Sequence, residues 1–268
     1  MRNPEVIFIR KAGDFLDVNF GGFVPLSTVD WRGRSVCTVF LRGCPVHCFY
    51  CHNREIQNGT DWRTTDEILG LIQKSALMVS GVIFSGGEPT MQKEALITMA
   101  RGVKKMGLLV GIQTNGAFPE TAKALLDENL LDLVHLDIKT RWEQYPRLLK
   151  VKQPVVDNIR TSLALYKEAY FNGRLPSFEI VVTLFRGHEE DVPYIAEEAE
   201  GIDLVLQQGV YGEIEPLSFD ALKDLAADLG RPVRIRTRED GEVTYDKNRI
   251  IVADSMVLTD IRQLRRPE

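Results

Sequence analysis

Cysteine is scarce in this chain. There are four in 268 residues, alongside four histidines and three tryptophans. So few thiols argue against a disulfide-stapled scaffold, and a chain of this length does not need one to build a core. No apolar run is long enough to cross a bilayer. The opening residues, MRNPEVIFIRKAGDF, interrupt a short apolar run with charge and do not read as a signal peptide. Excess positive charge is missing too: Lys and Arg number 33 against 38 Asp and Glu, a formal net charge of -5. That balance provides no general attraction to nucleic acid or anionic lipid. Internal repeats, low-complexity tracts and disordered linkers are absent. The expectation is a cytoplasmic protein with one large domain, or one domain and an appendix, and 44% hydrophobic residues from which to build it.

The chain does contain an alternation. Short β-branched runs recur at 35–41, 81–86, 108–116, 131–139, 178–185 and 202–209. Between them, residues 64–78, 90–106, 119–129, 156–171 and 189–200 carry apolar residues at helical spacing, with acidic residues near their starts. This pattern predicts parallel βαβ units, arranged as an open barrel or a wound sheet. Both architectures place ligands at the carboxyl ends of the strands. The unusual residues fall there: a cysteine loop after the first strand, SGGEPT after the second, TNG after the third, DIK at the end of the fourth, and QQG after the sixth.

Three of the four cysteines, Cys44, Cys48 and Cys51, stand within RGCPVHCFYCHNRE. A closed structural zinc site needs four ligands, commonly two close pairs, and no second cysteine pair exists. His47 and His52 could complete a zinc site, but their places in the loop are awkward for a tetrahedral cage. Cysteine thiolates also hold iron–sulfur clusters. A four-iron cluster held by three cysteines leaves one iron open to a small molecule. Cys37, in mid-strand, reads as a buried core residue.

CPVHCFYC, with aromatic Tyr50 before the third cysteine, resembles the three-cysteine signature of the radical S-adenosylmethionine (SAM) enzymes, over about residues 31–209. The resemblance implies a partial (β/α)6 barrel, an α/β fold. It also implies a [4Fe–4S] cluster on Cys44, Cys48 and Cys51, with SAM chelating the open iron, and a 5′-deoxyadenosyl radical that abstracts hydrogen. The division that follows is an N-terminal extension over 1–30, a radical SAM core over 31–209, and a small α+β extension over 210–268. SGGEPTMQ resembles the glycine-rich SAM motif. Gly86 and Gly87 let backbone approach a ligand closely, Glu88 offers a carboxylate to an ammonium group, and Pro89 can start a helix. By the same resemblance Tyr50, Asn115 and Gln207 are cofactor-binding candidates. Gln207 and its neighbour Gln208 alternate across the strand, so sequence does not decide between them.

Asp137 and Lys139 alternate on one strand end and face the same way. They resemble the Asp-x-Lys element of glycyl-radical activating enzymes and are the candidate catalytic residues. The stretch GFVPLSTVDWRGRSVCTVFLRGCPVHCFYCHN is similar to the opening of activating proteins for anaerobic ribonucleoside-triphosphate reductase. That similarity implies a glycyl-radical enzyme, such as anaerobic ribonucleotide reductase, as partner and flavodoxin or ferredoxin as electron donor. Beyond Val210 the sequence predicts a helix over 218–229 and a hairpin turning at Asp240-Gly241. Arg234, Arg236 and Arg238 share one face of its first strand. They read as a solvated edge strand blunted by charge, or as a contact for an acidic partner or RNA phosphate. RNA modification is therefore the alternative function, and a metal-stabilised binding module the second alternative.

Overall fold

The computed structural model describes residues 16–246 and 249–252. The alternating pattern folds as expected. The first unit comprises β1 (Asp17–Ser27), β2 (Val36–Leu41), β3 (Trp62–Thr64), α1 (Thr65–Ser75), β4 (Gly81–Gly86) and α2 (Lys93–Lys105). Next come β5 (Leu109–Thr114), α3 (Pro119–Asp127), β6 (Leu133–Asp137), α4 (Tyr145–Leu148) and α5 (Gln153–Phe171). They are followed by β7 (Ser177–Leu184), α6 (Val192–Glu198), β8 (Asp203–Gln208) and α7 (Phe219–Asp228). The hairpin strands β9 (Val233–Thr237) and β10 (Gly241–Asp246), then β11 (Arg249–Val252), complete the described chain. Local chemistry fixes several boundaries. Thr64 and Glu67 form a reciprocal capping box at the start of α1, and the Ser218 side chain caps α7.

All the strands join one open sheet in the order β11-β10-β9-β8-β7-β6-β5-β4-β2-β1-β3. The run from β2 to β9 is parallel throughout, and antiparallel strands flank it at both ends. The C-terminal unit is therefore joined more tightly than its sequence suggests. β9 pairs in parallel with β8, so α7 is the crossover of one more βαβ unit. β9 is also not an edge strand: it lies between β8 and β10. The expected N-terminal extension contributes β1, which pairs with β2; residues 1–15 lie outside the described residues. Among the described residues no helix is long and apolar enough to cross a membrane.

Strand alternation separates two interiors. One face of the sheet packs under the helices, where Val82, Phe84, Val110, Ile112, Val134, Leu136 and Cys37 are buried in the main core. The barrel side has a different filling. At its base Trp31, Val36, Ile83 and Leu133 form a small apolar plug. Gly111 makes that plug possible, because a Cβ there would stand 2.5 Å from Ile83 Cδ1 and 3.2 Å from Trp31 Cζ3. Above the plug the barrel side turns polar.

Candidate active site

A cavity of about 530 Å³ opens at the carboxyl ends of the strands. The cysteine loop forms one wall. Its backbone is pinned from both sides: Gly43 N–H donates to Ile56 O at 2.9 Å, and His47 N–H to Leu149 O at 3.3 Å. Val46, the apolar residue inside CPVHC, is the anchor. It is buried with Tyr145, Leu149, Val151, Val156 and Ile159 in a satellite core, against which Cys44 and Cys48 pack. With the backbone held this way, Cys44, Cys48 and Cys51 all line the cavity. Burial pushes the Cys44 thiol up to about 12 and raises Cys48 as well. Such thiols keep their protons until a metal replaces them. Cys37 is fully buried elsewhere, in the main core.

The glycine-rich loop is packed against the cysteine loop. Gly87 N–H donates to Leu41 O at 2.8 Å, Glu88 N–H to Gly43 O at 2.7 Å, and Asn53 Nδ2 to Gly86 O at 3.0 Å. A Cβ on Gly87 would lie 2.2 Å from Gly43 O, and one on Gly86 2.4 Å from Leu41 N. The close approach that these glycines permit is thus to the chain's own backbone, although both also line the cavity. Glu88 departs from its expected place. Its side chain is fully buried, is not among those lining the cavity, and faces the next strand instead. Oε1 accepts from Thr90 N–H at 3.0 Å, from the Thr90 hydroxyl, and from Thr114 Oγ1 at 2.7 Å, while Oε2 accepts from Asn115 N–H at 2.7 Å. Burial pushes this carboxyl's pKa up and the four donors pull against it. Glu88 is a brace between the SGGEPT and TNG turns, and its hydrogen bonds run within the protein.

The brace sets Asn115. With its N–H on Glu88 and its Oδ1 accepting from Ala117 N–H at 3.0 Å, Asn115 turns Nδ2 to within 3.5 Å of Cys44 Sγ. Across the cavity, Lys139 Nζ lies 3.1 Å from Asp137 Oδ2. Burial is the largest single effect and works against the lysine's charge, but Asp137, Tyr50, Cys48 and Tyr145 together outweigh it and hold the ammonium well above the ordinary lysine value. Lys139 also sits 5.6 Å over the ring of Tyr50. Trp142, three residues beyond Lys139, points away and donates to Glu198 at 2.7 Å. Gln207 and Gln208 both line the cavity. Gln208 is held at both ends, by Leu217 O and Arg238 N–H, whereas Gln207 is held by Arg236 alone. His188 does not line the cavity; it stacks on Phe49 with ring centroids 6.2 Å apart.

Several residues here escaped sequence reasoning. Asp30 lines the cavity, accepting from Thr38 Oγ1 at 2.8 Å. Gln113 accepts from Ser85 Oγ at 2.7 Å, and His135 lies with Nε2 2.8 Å from Glu179. Gln113, His135 and Glu179 are polar residues flanked on both sides or on one by apolar strand neighbours. Those interruptions were the available signal. The arginine face was also misread. Arg234 is buried, with ion pairs to Glu179 at 2.7 Å and Glu242 at 2.9 Å, and Arg236 holds Glu242 at 2.6 Å. A buried cation already paired with two carboxylates offers nothing to an RNA phosphate.

The model of the Radical SAM superfamily matches residues 38–199. The chain belongs to the radical SAM superfamily. A protein of Methanocaldococcus jannaschii, named "Putative glycyl-radical enzyme activating enzyme MJ1227", is 31% identical over 223 residues, which is 83% of this chain and 90% of that protein. The pyruvate formate-lyase 1-activating enzyme of Escherichia coli (strain K12) is 34% identical over 125 residues, 44% of this chain and 50% of that one. Among solved structures, TYW1 with a lysine-pyruvate adduct bound shares the fold at TM-score 0.60 and 19% identity. It covers 82% of this chain and 83% of that one.

This radical SAM enzyme has the superfamily's cofactors, a [4Fe–4S] cluster and SAM, and its cavity fits them. Three thiols converge on one wall. Tyr50 Oη is buried at the cavity with no hydrogen-bond partner, the mark of a polar site built for something else. The Lys139 ammonium and the Asp137 carboxylate line the same cavity. Among the described residues no group of three His, Cys, Asp or Glu side chains is placed to hold a single metal ion. Of the two histidines in the loop, His47 is exposed and lies off the cavity, whereas His52 lines it.

Proposed function

We propose that this enzyme generates a glycyl radical on a separate protein, with anaerobic ribonucleotide reductase as the first candidate partner and flavodoxin or ferredoxin as electron donor. The observation that carries the reading is the 31% identity to a glycyl-radical activating relative along 83% of the chain. The cavity supports it. Cys37 is the only other cysteine and is buried in the core, so no thiols remain for an auxiliary cluster. The cytoplasm, where thiols stay reduced, is the proposed setting.

The residues divide the work. Cys44, Cys48 and Cys51 hold the cluster. When bound, the cluster and SAM supply the reducing electron and the carbon radical that abstracts hydrogen. Lys139 offers a buried ammonium to a carboxylate, and Asp137 offers an acceptor to an amine or hydroxyl; together they orient SAM. Asn115 directs an amide donor at Cys44. Tyr50, Gly86, Gly87 and Gln207 shape the remaining wall. Glu88 positions Asn115 and touches no ligand. The RNA-modification reading has less to rest on, since Arg234 and Arg236 are committed to Glu179 and Glu242 and only Arg238 of that face is exposed.

The test is electron paramagnetic resonance of the candidate reductase after anaerobic incubation with this enzyme, SAM and reductant. The expected result is a carbon-centred doublet whose main splitting collapses when glycine is deuterated at Cα. Deuterium passing from labelled RNA into 5′-deoxyadenosine, with no radical on the reductase, would overturn the proposal.

A further inference from the structure

The sheet does not close through its backbone, because β2 and β9 lie at opposite ends of the parallel run. Its two ends are nevertheless joined by one side chain. Arg32 sits in the turn between β1 and β2, directly after Trp31 of the basal plug. It reaches across to β10, more than two hundred residues along the chain. Nη1 donates to Thr244 Oγ1 at 2.9 Å, and Nε stands 3.8 Å from Glu242 Oε1. Glu242 is mostly buried and also receives Arg234 Nη1 at 2.9 Å and Arg236 Nε at 2.7 Å. One carboxylate therefore gathers three guanidinium groups, two from β9 and one from the far side of the opening.

The same two chain segments line the cavity. Val29 and Asp30, just before Arg32, line it on one side; Arg236, Thr237 and Arg238 line it on the other. Val29 is 74% exposed, so the opening between these segments reaches solvent. We propose that Arg32 is a clasp. It fixes the β9–β10 hairpin as a wall of the cavity and sets the width of the lateral opening through which the substrate protein's loop enters. The substrate part rests on the function proposed above. Arg32 touches no reacting group and acts through β10, which makes it a positioning residue. A planar fork is suited to the task, since one side chain must reach both a hydroxyl and a carboxylate. Loss of the clasp loosens the wall. A radical generated beside a loose wall meets water and stray hydrogen donors more often than the substrate glycine.

The test uses the reconstituted enzyme and two readouts. The first is amide hydrogen exchange over 233–246, without partner. Arg32→Ala is expected to speed exchange there about tenfold, the ratio that corresponds to 1.4 kcal/mol, and to leave β4–β6 unchanged. Thr244→Val should act in the same direction, and Thr244→Ser should match wild type. The second readout is 5′-deoxyadenosine released per glycyl radical formed on the partner. It is expected to rise several-fold in Arg32→Ala. Unaltered exchange in Arg32→Ala would overturn the clasp whatever the substrate. Faster exchange with an unaltered product ratio would overturn its role in substrate positioning. Wild-type enzyme that makes no radical on any glycyl-radical partner would instead sink the function proposed above, and the exchange result would stand apart from it.

Discussion

Glu88 illustrates how far a residue's surroundings determine its role. A carboxylate after two glycines invites the reading that it binds an ammonium group, and sequence alone offers no reason to doubt it. In the structure its four hydrogen bonds all go to Thr90, Thr114 and Asn115. Glu88→Gln must place an amide donor against one of those donors. The expected cost is about 1–3 kcal/mol of global stability, the usual penalty for an unmet buried polar group. Thermal unfolding of the protein without SAM should reveal it. A variant with unchanged stability but weakened SAM binding would restore the direct-contact reading. Cys37, by contrast, was legible: a lone thiol in an apolar strand is a small hydrophobe, and it lies in the main core.

At the scale of elements, the cysteine loop depends on residues with no metal chemistry. Val46 seats it in the satellite core, and Gly43 ties it both to Ile56 and to the glycine-rich loop. Changing Cys44, Cys48 or Cys51 to Ala is expected to abolish iron binding after anaerobic reconstitution and leave the fold intact, because the loop's anchors remain. Cys37→Ala should retain the iron and cost on the order of 1 kcal/mol through the small cavity it leaves. Iron analysis beside a denaturation curve checks both; iron loss confined to Cys37→Ala would contradict the assignment. The six strands expected from sequence lie close to their observed bounds, because apolar periodicity and the following turn residues define a buried parallel strand. β9 was misjudged for the same reason in reverse. Arginines on alternate positions look like a solvated face unless their partners, Glu179 and Glu242 on other strands, are known.

Across the whole molecule, an ion network ties β6, β7, β9 and β10 together. Glu179 lies between His135 at 2.8 Å and Arg234 at 2.7 Å. Burial opposes its ionisation, but His135 and Arg234 outweigh burial and hold its pKa down to about 2, against an ordinary 4.5. The folded value is the lower one. Its contribution to stability is therefore complete above about pH 4.5 and is lost as the pH falls toward 2. Glu179→Gln should cost about 3–5 kcal/mol near neutrality, as expected when one partner of a buried pair is removed. The gap from wild type should narrow as the pH drops below 4.5. Urea unfolding at a series of pH values measures it, and a gap that stays flat would show that the carboxylate's charge contributes nothing.

What the sequence determined by itself was local. The alternation of strands and helices, the three-cysteine loop, the glycine-rich turn and the Asp137–Lys139 pair are written in spacing and residue type. The tertiary structure alone decided which polar groups meet. It bound Glu88 to Thr90, Thr114 and Asn115, sank Arg234 between two carboxylates, and carried Arg32 across the opening to Thr244 and Glu242. These pairings join residues from distant parts of the chain. Whether a charge is spent inside the protein or offered to a ligand depends on which partners the curl of the sheet brings within about 3 Å, a typical hydrogen-bond distance, and no spacing along the chain encodes that distance.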